Sequence, residues 1–212
     1  MKPYKSALLI TSSIIIIAPI LSGCGSSNTE TGKKLTKAEI RQQRVDKSAK
    51  ILKSNPTDKN YLNLLKTELG NNHVVELRQS PHKYTVAKLK GFTFNTENKY
   101  RNFGKTIRNI MINANKAGYV KAGLGFVQRK DGFTSFTFAY SRKDIKDGEL
   151  SKSALKNDYD PVFENATSFY IEPFFKQDTK NNIMTDSDVN AGPIVGPDKK
   201  SLNTEIMETF DD

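Results

Sequence analysis

The sequence predicts an α+β domain: an N-terminal helical hairpin, then an antiparallel sheet of about five strands packed on one central amphipathic helix. Three observations carry this. Tyr100, Phe103, Ile107, Ile110, Met111 and Ala114 recur at spacings of three and four within the stretch 97–117, the signature of a helix with one apolar face. Val120, Ala122, Leu124 and Phe126 alternate before Asp131 and Gly132, and Phe136, Phe138 and Tyr140 alternate after them, which is a strong hairpin signal. Upstream of both, two stretches with helix start and stop signals follow one another closely.

The chain opens on the basic pair Lys2 and Lys5, an apolar run from Ala7 to Ile20, and the small-residue segment Leu21, Ser22, Gly23, Cys24. This is the charged, apolar, small-residue order of an export signal. The apolar run is shorter than the roughly 20 residues a membrane span needs, and Pro19 lies inside it. Leu21-Ser22-Gly23-Cys24 resembles the lipobox of bacterial lipoproteins. The resemblance covers residues 1–24 and implies cleavage between Gly23 and Cys24, with a diacylglycerol on the Cys24 thiol and palmitate or a similar acyl chain on the new amino terminus. It further implies anchoring in the cell membrane on the extracytoplasmic face. A minor subset of such signals also releases a short apolar signalling peptide, here 16–23.

Loss of Lys2 and Lys5 lowers the formal charge from +10 to +8, and a chain this basic favours an acidic partner or an anionic surface. Cys24 is the single cysteine, so no intrachain disulfide forms and stability must come from an ordinary core. Abundant Lys, Asn and Ile with no Trp is a composition associated with low-GC Gram-positive bacteria.

Residues 24–35 contain almost nothing to bury and read as a lipidated flexible tether. Extended, Gly25–Leu35 reaches about 36–40 Å. The folded domain is expected over 36–176. Thr36 and Glu39 have the spacing of a capping box, opening a helix from about Lys37 to Lys53 with a thin stripe of Ala38, Val45, Ala49 and Leu52. Lys37, Arg41 and Arg44 stack on another face, suited either to an anionic surface or to plain solvation. Asn55, Pro56 and Asp58 restart a helix, with Pro at its first position, and Gly70 ends it. Tyr61, Leu62, Leu65 and Leu69 face one way.

Two extended stretches, His73–Gln79 and Tyr84–Phe94, flank Ser80-Pro81-His82 and predict a hairpin. Val75 and Leu77 face the core on the first, Phe92 and Phe94 on the second, with a bulge where the second breaks register. The central helix follows and Gly118 closes it; its other side carries Arg101, Lys105 and Arg108 as further basic surface candidates. After the Asp131-Gly132 hairpin a polar connection runs from Arg142 to Asp158, with a short helix near 151–156. Phe169–Phe175 reads as a last strand, placed at the edge by Pro173. Residues 177–212 read as a polar, mostly irregular tail with a short helix between Leu202 and Phe210.

Little in the chain points to chemistry. Asp186, Asp188 and Asn190 match the first half of a calcium loop, but Ala191 and Pro197 stand where Gly and a bidentate Glu are needed. His73 and His82 match no zinc spacing. There is no Gly-x-Ser-x-Gly elbow, P-loop or His-Glu-x-x-His motif. A glycosidase pair among Glu149, Glu164 and Glu172 would be visible only in geometry. Gly123 and Gly125 lack the rest of a dinucleotide fingerprint and suit strand positions beside packed aromatics. Aromatic residues near basic ones are core residues of a hairpin before they are a nucleic-acid platform.

No cofactor and no catalytic activity are expected. The expected role is a binding module at the cell envelope, taking an anionic polymer, lipid surface or envelope protein. In architecture it resembles small lipoproteins accompanying conjugation, exclusion or immunity. A small solute-binding lipoprotein and an envelope hydrolase are the alternatives.

Overall fold

A computed structural model describes residues 34–94, 96–130, 132–146, 166–172, 194–196 and 200–211. The expected export signal, Gly23, Cys24 and the expected tether up to residue 33 lie outside them, as do the expected 151–156 helix, Pro173 and the candidate calcium loop. Residues Leu35–Asp212 form one compact unit.

The α+β class is observed, with the helical hairpin at its start. Helix α1 spans Lys37–Ser54 and α2 Asp58–Leu69. Thr36 caps α1 as expected: its hydroxyl accepts from the Glu39 amide at 3.2 Å while the Glu39 carboxylate accepts from the Thr36 amide at 2.7 Å. Helix α2 starts two residues later than the Pro56 reading implied. Thr57 is its N-cap, so Pro56 sits just outside, where its fixed φ shapes the entry without occupying the first turn.

Strands β1 (Val74–Gln79), β2 (Tyr84–Leu89), β3 (Gly123–Lys130), β4 (Phe133–Ser141), β5 (Ser168–Ile171) and β6 (Ile194–Gly196) form one sheet in sequence order. Helix α3 (Glu97–Lys116) links β2 to β3, a five-residue α4 (Arg142–Lys146) follows β4, and α5 (Lys200–Glu208) closes the chain. The sheet is mixed rather than wholly antiparallel, because β2 and β3 pair in parallel. The cause is α3 itself: a long helix between two strands carries the chain back to the end it left, which is the geometry of a parallel crossover.

The first hairpin forms, with its bulge on β1 instead of β2. Val74 pairs with Leu89 and Glu76 with Lys88, so Val75 is the extra residue; it is exposed, and Val74 takes the core position expected of it. Phe92 and Phe94 lie past the end of β2, in the loop entering α3, where Phe94 is fully buried. Strand β5 stops at Ile171 and β6 pairs beyond it, so β5 is interior. The described parts of the 177–212 stretch are a strand and the helix α5, the latter where the short helix was expected.

Alternation along the strands sends side chains to two cores. Leu124, Phe126, Phe136, Phe138 and Tyr140 meet α1, α2 and α3, chiefly Ile107, Ile110 and Met111. Val86, Val127 and Ala139 point the other way, against Leu202, Ile206 and Phe210 of α5 and its end. β3 is therefore buried on both faces, which its two glycines permit. A Cβ on Gly123 would stand 2.3 Å from the Tyr84 ring and 2.5 Å from the Tyr140 carbonyl oxygen; one on Gly125 would stand 2.9 Å from Ile206 Cδ1. Because the Tyr140 carbonyl is backbone, Gly123→Ala is expected to cost about 1–3 kcal/mol as overpacking, more than Gly125→Ala, whose neighbour is a side-chain tip. Urea midpoints of the two variants measure the difference.

Helix α5 is held by polar contacts as well. Asn203 Oδ1 accepts from the buried Thr137 hydroxyl at 3.0 Å, and Asn203 Nδ2 donates to the Phe169 carbonyl at 3.0 Å. Phe210 lies beneath Arg78 and Lys88, whose cationic ends are 5.2 and 5.3 Å from its ring centre.

Candidate functional site

Three adjoining clefts lie where α1, the C-terminal end of α2, α3 and the β2–α3 loop meet. One, of about 770 Å³, runs between α1 and α2 and is lined by Lys37, Ile40, Arg41, Arg44 and Lys66. A second, of about 490 Å³, lies between α1 and α3 and brings Lys105, Asn102 and Thr106 opposite Arg41 and Gln42. The third is a recess of about 380 Å³ floored by Leu69, Phe92 and Phe103 and walled by Lys99, Asn102 and Thr106. Arg41 and Glu68 line all three.

The local sequence explains this convergence. Lys37, Arg41 and Arg44 share a helix face, as their spacing required, and that face borders the end of α2. Arg41 Nη2 donates to the Glu68 carbonyl at 2.9 Å, satisfying one of the carbonyls a helix end leaves without an intrahelical partner. Gly70 follows in a positive-φ conformation at 98° and ends α2 there. On the far wall the loop is clamped by Gln128: its side-chain amide donates to the Phe92 carbonyl at 3.0 Å and its oxygen accepts from the Phe92 amide at 2.9 Å. Phe92 is thereby held against His73 and Phe103, with ring centres 4.6 and 4.9 Å away.

Lys37, Arg41, Arg44 and Lys105 are thus brought to one region. Arg101 and Arg108 line none of the three clefts. Arg101 is half-buried and Arg108 only 8 % exposed, so Arg108 is not a surface residue; its guanidinium donates to Asn109 Oδ1 at 3.0 Å. The helix face on which Arg108 lies turns inward there, because Ile107 and Met111 beside it are fully buried.

Sequence reasoning missed Glu68. It is 7 % exposed, and its Oε1 is buried without a hydrogen-bond partner. Burial pushes its carboxyl above the ordinary value of 4.5, Arg41 offsetting part of the rise and the Asp46 charge adding to it. The signal was present: Glu68 follows Leu65 by three residues on the apolar face of α2, where a carboxylate is out of place. A carboxyl raised in the folded state binds a proton that the unfolded chain has released, so its contribution to stability falls as pH rises above 4.5. Glu68→Gln is expected to remove that slope and raise stability at neutral pH, read from urea denaturation at pH 5 and pH 8.

The two histidines are not brought together as a metal or base pair. His73 Nδ1 donates to the Lys90 carbonyl at 2.8 Å, and the ring sits between Gly70 and Gly91, where Cβ atoms would come within 3.3 and 3.2 Å of it. His82 lies in the β1–β2 turn and bonds through ring Nδ1 to Glu205 of α5, while its amide donates to Glu205 Oε1 at 2.9 Å. Burial raises the Glu205 pKa, but hydrogen bonds from Ser80 and from the His82 amide and ring outweigh it, and the net shift is downward. A lowered carboxylate contributes stability above its unfolded value, lost as pH falls through the folded one. Protection factors of the α5 amides, taken relative to intrinsic exchange at each pH, should therefore fall on acidification below pH 4.5 in the wild type, and lose this dependence in Glu205→Gln.

Among the described residues, no group of three His, Cys, Asp or Glu side chains is arranged to hold a metal, and no helix is long and apolar enough to cross a membrane. Compared with protein-family models, curated proteins and solved structures, the chain matches none of them.

Proposed function

We propose that this chain is a membrane-anchored lipoprotein, held through Cys24 on the extracytoplasmic face, whose α+β domain is a non-catalytic module binding an anionic partner of the cell envelope. The observation that carries the reading is the convergence of Lys37, Arg41, Arg44 and Lys66 on one solvent-open cleft. Lysine and arginine side chains gathered in a concave site add their potentials and concentrate anions there. The net charge of +8 that remains once Lys2 and Lys5 are removed supplies a longer-range attraction of the same sign. Anchoring raises the local concentration of the cleft near envelope components, so individually weak ionic contacts suffice.

Crosslinking in intact cells tests the reading, with wild type compared against Cys24→Ala. Recovery of an anionic polymer or an acidic envelope protein from the anchored form alone supports it. Equal recovery from both forms, or an unprocessed and unlipidated wild-type chain, would overturn the anchored part. Recovery of neutral partners only would overturn the anionic part.

A further inference from the structure

The recess between α2, α3 and the β2–α3 loop has features that a purely electrostatic groove does not need. Its floor is apolar, with Leu69, Phe92 and Phe103, and Glu68 lines both this recess and the cationic cleft. Thr106 donates its hydroxyl hydrogen to the Asn102 carbonyl at 2.9 Å, which leaves the Thr106 oxygen free to accept and the exposed Asn102 amide beside it.

We infer that this recess is a subsite for one unit of a polyol-phosphate or sugar-phosphate chain, with phosphate on Arg41 and hydroxyl groups against Glu68, Asn102 and Thr106. The inference rests on the anionic-partner reading and names the partner's chemistry. About 380 Å³ is the size of a small-ligand site, and the apolar floor suits the C–H face of such a unit. A flat bilayer does not enter a recess. A thin chain does, and its next phosphates then run along Lys37, Arg44 and Lys66.

The test uses the full-length chain in non-ionic detergent, with a fluorescent glycerol-phosphate oligomer and an inorganic polyphosphate of matched charge at one ionic strength. The wild type should bind the glycerol-phosphate oligomer about tenfold more tightly, the scale of a hydrogen bond or two that polyphosphate cannot make. Asn102→Ala with Thr106→Val, both away from the fully buried core, should bring that ratio to about one and leave polyphosphate affinity unchanged; Glu68→Ala should do the same, with circular dichroism reporting its fold. Equal binding of both polymers by the wild type, or an unchanged ratio in the double variant, overturns the subsite while the anionic groove stands. Binding to phosphatidylglycerol vesicles with neither polymer bound overturns the subsite and assigns the groove to lipid. Absence of binding to all three overturns the subsite and leaves an acidic envelope protein as the anionic partner.

Discussion

Phe138→Ala is expected to cost about 3–5 kcal/mol, a large share of the roughly 5–15 kcal/mol that holds a domain folded. Phe138 is fully buried in β4, and its ring centre lies 5.3 Å from that of Phe136 and 6.1 Å from that of Phe103. Phe94 and Phe169 stand 6.5 and 6.4 Å away on other sides. Removing the ring loses the transfer of its apolar surface and leaves a hole that these four aromatic neighbours of fixed shape cannot close. Each of those rings is held by a different element, so no single shift fills the space. Denaturation followed by tyrosine fluorescence, which no Trp obscures, measures the loss. A cost below about 1 kcal/mol would mean that the sheet and α3 do not pack as described.

The second large effect is on binding. Lys37→Ala, Arg41→Ala and Arg44→Ala together should weaken association with an anionic envelope polymer by about a hundredfold, taking about 1 kcal/mol per charge near such a surface. The slope of affinity against salt should flatten at the same time, since fewer counterions are displaced. Arg41 also bonds the Glu68 carbonyl, so its removal costs fold stability of about 1 kcal/mol by itself. That loss appears in the denaturation midpoint and is separable from the loss of affinity. Unchanged polymer binding in the triple variant would reduce the α1 face to a solvated one.

Where the sequence was readable, the signals were local. The capping box at Thr36, the apolar stripe from Tyr100 to Ala114 and the Asp-Gly hairpin each lie within one element or one turn, and all three are present. The same locality explains the misses. Val75 reads as a core residue by alternation, but a bulge is decided by which partner strand it meets, and here the extra residue turns Val75 outward. Arg108 reads as a surface cation because charge predicts exposure; its burial follows from the turn of α3 against the core. The parallel pairing of β2 with β3 lies in no residue of either strand.

The candidate site divides along the same line. Sequence alone placed Lys37, Arg41 and Arg44 on one helix face, since 3.6 residues per turn dictates which side chains neighbour one another. Only tertiary structure could bring Lys105 from α3 and Lys66 from α2 to that face and bury Glu68 at their meeting point. Likewise the helix in the polar C-terminal stretch was visible as a pattern, but its place was not. Its seat on the second face of the sheet depends on Gly125, Val86, Val127 and Ala139, far away in sequence, leaving a surface that α5 fits. Helical period and turn chemistry act over a few residues and are written in the chain. Clefts, strand order and buried charge arise from distant segments excluding water together, and exist only once the chain has folded.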